Sequence, residues 1–298
     1  MPGIFPIWRS MLFVPAQIEK FVAKAHTRGA DAYILDLEDS VPASRKDVAR
    51  SMIVADARQV SRSGAAVLVR INQPWTVSQR DLAAVVGRGV RAIVLPKVNC
   101  PDYVRAVAQE IDSLEAERDV AAGHTLLIAQ IEDVDALARL DEIAASSSRL
   151  MGMTLGSEDF SASVGMEPIP AALFAPNQSI VFACRRAGIL PFGFPASIAD
   201  YAEIGDFRAT IKLARQLGFV GAFCIHPSQV AVLNEEFAPT PNEIEHARGL
   251  VSAYEQALKQ GRGAAEYRGK MIDPPVVMRA QELLRRACHL EISGLAKK

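Results

Sequence analysis

Eight short apolar runs of β character punctuate the chain: RSMLFVP (9–15), AYILDLED (32–39), AVLVRIN (66–72), AIVLPK (92–97), TLLIAQIE (125–132), LMGMTLGSED (150–159), ILPFGFP (189–195) and GAFCIHP (221–227). Between them lie longer stretches in which Ala, Leu, Val and charge recur at helical spacing. They predict helices over 18–28, 45–61, 78–86, 101–117, 134–145, 171–187, 207–217 and 242–259, with Gly29 and Gly218 placed as C-caps. Strands that alternate with helices call for a parallel sheet. Eight such units over about 250 residues suit a closed (β/α)8 TIM barrel. In that barrel the C-terminal strand ends form the active face, and almost every run here stops on a charged or otherwise reactive residue.

Past the eighth unit the pattern changes. Residues 260–265 are Gly-rich and read as a linker, GKMIDPPVV (269–277) follows, and a last helix is predicted over 278–292. The expected organisation is a barrel domain over 1–259 and a C-terminal extension of linker, lid segment and helix over 260–298. KMIDPPVV is too apolar to lie in water without a surface to cover.

Composition narrows the function classes. Half of the 298 residues are hydrophobic, enough for a large core, and the net charge of −1 gives no general attraction to nucleic acid or to an anionic membrane. No apolar run reaches the roughly 18–20 residues that a bilayer span needs. MPGIFPIWRS lacks the basic start and apolar stretch of a secretory signal, so cytoplasm is the expected compartment. Cys100, Cys184, Cys224 and Cys288 show no CxxC spacing, and no two of the five histidines are three or four residues apart. Zinc and disulfide frameworks are therefore poorly supported.

The chemistry rests on oxygen and guanidinium groups. Glu132 ends the fifth run and Asp159 follows the sixth. Neighbouring parallel strands lie about 5 Å apart, so carboxylates at two adjacent tips can share one cation. All-oxygen ligation by few protein groups suits Mg²⁺, which keeps waters that a substrate carboxylate or carbonyl replaces. Either residue would also serve as a helix cap. Gly156 and Gly165, with small Ser157, Ser161, Ala162 and Ser163, leave room for a ligand near backbone N–H groups. Arg70 ends the third run, where a guanidinium holds a carboxylate bidentately and offsets the charge of an enolate. The alternative for Arg70 is a structural ion pair with Asp36, Glu38 or Asp39.

RSMLFVPA, DLEDSV, VRIN, LPKV, the glutamate of the fifth run, LGSEDFSASVG, LGFVGAFCIHPSQV and GKMIDPPVV occur in this order over about 8–290. In these motifs the chain resembles the citrate lyase β-subunit-like group of the HpcH/HpaI aldolase superfamily, which includes malyl-CoA, β-methylmalyl-CoA and citramalyl-CoA lyases. The resemblance implies a Mg²⁺-dependent carbon–carbon lyase that cleaves a 3-hydroxy-acyl thioester to a 2-oxo acid and an acyl-CoA. By position Glu132 and Asp159 match the family's metal ligands, Glu132 also bordering the substrate, and Arg70 matches its substrate-binding arginine. Asp273 matches an aspartate that some members lend to a neighbouring subunit as an acid/base; otherwise it is a turn residue before Pro274 and Pro275. An acyl-CoA or acyl-carrier thioester is the implied partner, within a homotrimer or a multiple of one.

Other strand-end groups carry lesser expectations. Lys97 faces a phosphate or thioester arm or else pairs with an acid, and His226 orients the loop after the eighth strand. Arg9 and Phe13 either help to hold the CoA moiety or serve the fold. Relatives often have an Asp-rich stretch after strand seven, where this chain reads FGFPASIADYAEIGD, and an arginine-serine pair where it reads FAPNQSIVFACRRAG. Both segments border the pocket, so acyl preference is the property left open. Two rival classes share the same residues: a metal-dependent aldolase on free 2-oxo or hydroxy acids without CoA, and a non-catalytic subunit of a lyase complex.

Overall fold

The structure, a computed structural model, describes residues 5–199 and 203–295. Two compact units divide the chain, Met1–Phe237 and Ala238–Lys298.

In the first unit all eight expected runs are strands: β1 (Ser10–Pro15), β2 (Ala32–Asp36), β3 (Ala66–Arg70), β4 (Ala92–Leu95), β5 (Leu126–Ile131), β6 (Leu150–Leu155), β7 (Leu190–Phe192) and β8 (Ala222–Cys224). They pair in parallel in the order β7-β6-β5-β4-β3-β2-β1-β8. The two ends meet where Phe192 bridges Gly221 and the Gly193 N–H donates to the Gly221 carbonyl at 2.9 Å. The (β/α)8 barrel is thereby closed. Among the described residues no helix is long and apolar enough to cross a membrane.

The strand pleat sorts side chains into two cores. Met11, Ile34, Leu68, Val94 and Ile128 pack with one another and with no helix residue, so they fill the barrel interior. Alternate positions such as Leu12, Leu35, Val69, Ile93 and Leu127 pack outward on helix residues such as Val22, Ile53 and Val104. Two residues beyond each interior position, the same inward face carries Phe13, Asp36, Arg70, Pro96 and Gln130. The interior thus changes from aliphatic to polar toward the C-terminal strand ends.

The helix that follows β8 is Pro227–Glu236, which the sequence pattern left unassigned. Its N-cap is a histidine, outside the usual Ser, Thr, Asp and Asn set. His226 Nδ1 accepts the Ser228 N–H at 3.2 Å, and Gln229 Oε1 accepts the His226 N–H at 3.0 Å. The helix expected over 242–259, observed as Pro241–Lys259, belongs to the second unit. The boundary expected at 259/260 therefore falls inside that unit, because the barrel's eighth helix is the shorter one.

Within the second unit, Pro241–Lys259 packs on the last helix, Pro274–Ile292, through Ala247, Leu250, Val277 and Ala280. The expected linker runs into an antiparallel hairpin, β9 (Ala265–Tyr267) and β10 (Lys270–Ile272). Its two-residue turn has Arg268 at φ 51° and Gly269 at φ 76°, the left-handed pair that matches strand twist.

Candidate active site

Asp36 and Arg70 end β2 and β3 as cross-strand partners. Arg70 Nε and Nη2 donate to the two oxygens of Asp36, each at 2.8 Å. Its third nitrogen, Nη1, lies 3.2 Å from Glu38 and 3.5 Å from Asp39. The Phe13 ring, 4.8 Å from the guanidinium carbon, supports the fork by a cation–π contact. The ion-pair reading of Arg70 is thus realised, since it is paired with the acids of DLED; it also lines a cavity of about 420 Å³ at the strand ends. Burial alone would raise the Asp36 pKa, yet the fork more than offsets it and holds this carboxyl below its ordinary value. Burial likewise works against the Arg70 charge, and the Asp36, Glu38 and Asp39 carboxylates outweigh it, so Arg70 stays firmly protonated.

Glu132, one residue beyond β5, is 5 % exposed. Its Oε2 accepts the Lys97 backbone N–H at 3.2 Å. Burial, with the nearby charges of Asp159 and Glu38, pushes its pKa up to about 8. Asp159 stands in the first turn of the helix Ser157–Val164 and borders the cavity. The turn between β6 and that helix is closely approached by the Glu132 side chain at Gly156. A Cβ at Gly156 would stand 2.5 Å from Glu132 Cγ and 3.0 Å from its Oε1. Loop and helix are further fixed when the Ser197 hydroxyl donates to Glu158 and the Ile198 N–H reaches Ser157 Oγ at 3.4 Å. Residues 200–202 of the segment expected to border the pocket after β7 lie outside the described residues.

A hard divalent cation fits this donor set. Glu132 is a buried carboxylate whose charge two acidic neighbours oppose, and a cation beside it and Asp159 would relieve that repulsion. Among the described residues no group of three or more His, Cys, Asp and Glu is arranged to hold a metal. Two carboxylates with the remaining positions left to water and substrate is the arrangement Mg²⁺ favours, and Zn²⁺ does not.

Two residues of the site were not singled out as a pair by sequence. Glu38, 6 % exposed, stands between Arg70 and the ammonium of Lys97, which it binds closely. Lys97 adopts φ 52°, a left-handed backbone unusual for a side-chain-bearing residue, and this turns its N–H onto Glu132. The salt-bridge alternative for Lys97 is the one the geometry supports.

The remaining expectations separate. Arg9 is buried at the opposite end of β1, where Nε and Nη2 each hold Asp31 at 2.8 Å and Nη1 donates to the Asn234 carbonyl. It serves the fold. Phe13 lines the cavity, edge-on to Phe223 at 5.5 Å. His226 caps its helix and borders a second cleft of about 440 Å³. That cleft also takes Lys20, Lys24 and Arg28 and shares Phe13, Pro15 and Ile225 with the first. Asp273 is the N-cap of Pro274–Ile292, its Oδ1 accepting the Val276 N–H at 3.3 Å.

Known proteins resemble this chain in sequence and in fold. The family model HpcH/HpaI aldolase/citrate lyase matches residues 9–227. Citrate lyase subunit beta of Escherichia coli is 38% identical over 296 residues, covering 97% of this chain and 95% of that protein. L-malyl-CoA/beta-methylmalyl-CoA lyase of Cereibacter sphaeroides is 34% identical over 299 residues, covering 92% and 91%. The crystal structure of CitE from Mycobacterium tuberculosis, in complex with magnesium, acetoacetate and coenzyme A, superposes with a TM-score of 0.72 at 28% identity, covering 94% of this chain and 97% of that one.

Proposed function

The chain belongs to the HpcH/HpaI aldolase/citrate lyase family, and we propose that it is a Mg²⁺-dependent carbon–carbon lyase acting on a 3-hydroxy-acyl-CoA of the malyl, citramalyl or citryl type. The observation that carries this reading is a cavity lined by Asp159 and the Asp36-held guanidinium of Arg70, with the buried Glu132 near enough to feel the Asp159 charge.

Glu132 and Asp159 would hold the cation, which when bound polarises the carbonyl and carboxylate of the 2-oxo acid half. Arg70 enters the cavity already aligned by Asp36, and its remaining N–H groups orient the substrate and offset enolate charge as it forms. Cleavage breaks the bond between the hydroxyl-bearing carbon and the thioester α-carbon. The hydroxyl proton leaves, the carbinol becomes the ketone, and the bond pair passes to the α-carbon as the enolate. One proton returned to that carbon completes the acyl thioester, so the balance is a single proton moved from oxygen to carbon. We assign that return to the partner subunit's Asp273 within a homotrimer or a multiple of one. The assignment rests on the KMIDPP motif and on its apolar surroundings.

The second cleft supports a phosphate-bearing thioester. Lys20, Lys24 and Arg28 are exposed along one of its walls, and Phe13, Pro15 and Ile225 form the rim it shares with the acid cavity. A thioester laid across that rim would place its acyl end beside Arg70 and its phosphates among the lysines. The relatives named for CoA thioesters and the CoA-bound neighbour agree with this direction. A coupled assay of citramalyl-, malyl- and citryl-CoA with Mg²⁺ or with chelator tests the reading. Mg²⁺-dependent release of a 2-oxo acid is expected from at least one, and no cleavage of any of the three would overturn it.

A further inference from the structure

One residue, Lys97, touches both the carboxylate proposed to hold the cation and the acid that faces the proposed substrate arginine. Its backbone N–H donates to Glu132 Oε2 at 3.2 Å. Its ammonium binds Glu38 closely and lies 3.6 Å from Asp39. Glu38 in turn stands 3.2 Å from Arg70 Nη1, the nitrogen that the Asp36 fork does not use. Lys97 reaches both sides from a left-handed backbone, φ 52°, which a residue with a side chain adopts only at a cost. The chain on either side is fixed to β5: Leu95 pairs with Ala129, and the Val98 N–H donates to the Gln130 carbonyl at 3.0 Å. With both flanks held, an ordinary φ at Lys97 would turn its N–H away from Glu132. The other described non-glycine residues with positive φ, Asp119 and Arg268, are exposed turn residues remote from any site group in sequence. Strain of this kind persists where surrounding contacts enforce it, and here the contacts are those of the candidate site.

From this we infer that Lys97 is a positioning residue with two separable parts. Its left-handed backbone aims Glu132 at the cation, and its ammonium draws Glu38 off Arg70 so that Nη1 is open to the substrate. The inference rests on the lyase reading above for what the two sides bind. The backbone part depends on conformation and on no particular side chain. The ammonium part depends on charge: without it Glu38 keeps Arg70 as its one cationic partner among the described residues, and competes there with a substrate carboxylate or enolate. A merely structural ion pair would show neither separation.

Calorimetric titration of the metal-free, full-length protein with Mg²⁺ tests the backbone part without turnover, in Lys97→Gly and Lys97→Val. Both variants lack the same ammonium, so their difference reads the backbone: glycine enters the left-handed region freely and valine does not. Lys97→Val should bind Mg²⁺ at least about tenfold more weakly than Lys97→Gly. Should the valine protein fail to fold, Lys97→Ala takes its place, with a smaller loss in the same direction. Equal affinities in the glycine variant and its folded counterpart would overturn this part. The ammonium part is read from KM and kcat with whichever of the three thioesters the wild type cleaves. Lys97→Met should raise KM about tenfold with a smaller change in kcat, and Lys97→Arg should restore most of it. A KM that Lys97→Met leaves unmoved, or an equal loss in Lys97→Arg, would reduce Lys97 to a structural ion-pair partner. If the wild type cleaves none of the three, the lyase reading falls, and the Mg²⁺ comparison still decides whether Lys97 aims Glu132.

Discussion

Asp36 and Arg70 are cross-strand neighbours whose side chains meet fork to fork, both nitrogen–oxygen distances being 2.8 Å. The pair fixes the guanidinium before any substrate arrives, so reorganisation at the moment of reaction is small.

Lysine keeps the charge of Arg70 and loses the fork. Arg70→Lys should therefore bind Mg²⁺ as the wild type does while kcat falls by roughly 10² or more. Steady-state kinetics beside metal titration checks this. An unchanged kcat would leave Arg70 as the ion-pair partner of the DLED acids and nothing more.

The close approach of Gly156 to Glu132 gives a second expectation. Gly156→Ala places a methyl 2.5 Å from Glu132 Cγ, and the carboxylate has to move. Mg²⁺ affinity should drop about tenfold or more with the barrel still folded, since the residue lies on a turn with ordinary backbone angles. Circular dichroism and metal titration together separate the two effects; unaltered affinity would show that Glu132 is not a ligand.

Much of this was legible from alternation alone. In AYILDLED and AVLVRIN the interior residues Ile34 and Leu68 set the parity, and Asp36 and Arg70 sit two positions on, facing inward. The same rule places Gln130 and Glu132 after Ile128. What alternation does not encode is tertiary approach. Nothing local announces that Glu38 bridges Arg70 and Lys97, or that Lys97 takes a left-handed backbone to present its N–H. Helix Pro227–Glu236 was hidden because a histidine ring caps it, and the hairpin at β9 and β10 because its turn is Arg-Gly rather than Asn-Gly.

Burial and acidic neighbours raise Glu132 from its ordinary value to about 8 in the metal-free protein. The folded state then binds this proton more tightly than the unfolded chain does. Metal-free stability should fall as pH rises from the ordinary carboxylate range through about 8, and level off above it. Glu132→Gln removes the penalty, so its metal-free Tm at pH 9 should exceed wild type by a few °C. Mg²⁺ binding to the wild type should release close to one proton at pH 7 and almost none above pH 9. Calorimetry in buffers of different ionisation enthalpy reads the proton count; no release at pH 7 would mean that the carboxylate was ionised already.

The central claim is that Glu132 and Asp159 hold the Mg²⁺ on which thioester cleavage depends. The most direct measurement is the initial rate of 2-oxo acid release from citramalyl-CoA, by wild type and Glu132→Gln, each with saturating Mg²⁺ and with chelator. The expected result is turnover by the wild type with Mg²⁺, and losses on the order of 10² to 10³ or more from either chelator or the substitution, with no further loss when the two are combined. A Glu132→Gln protein that works within a few-fold of wild type at saturating Mg²⁺ would contradict the account.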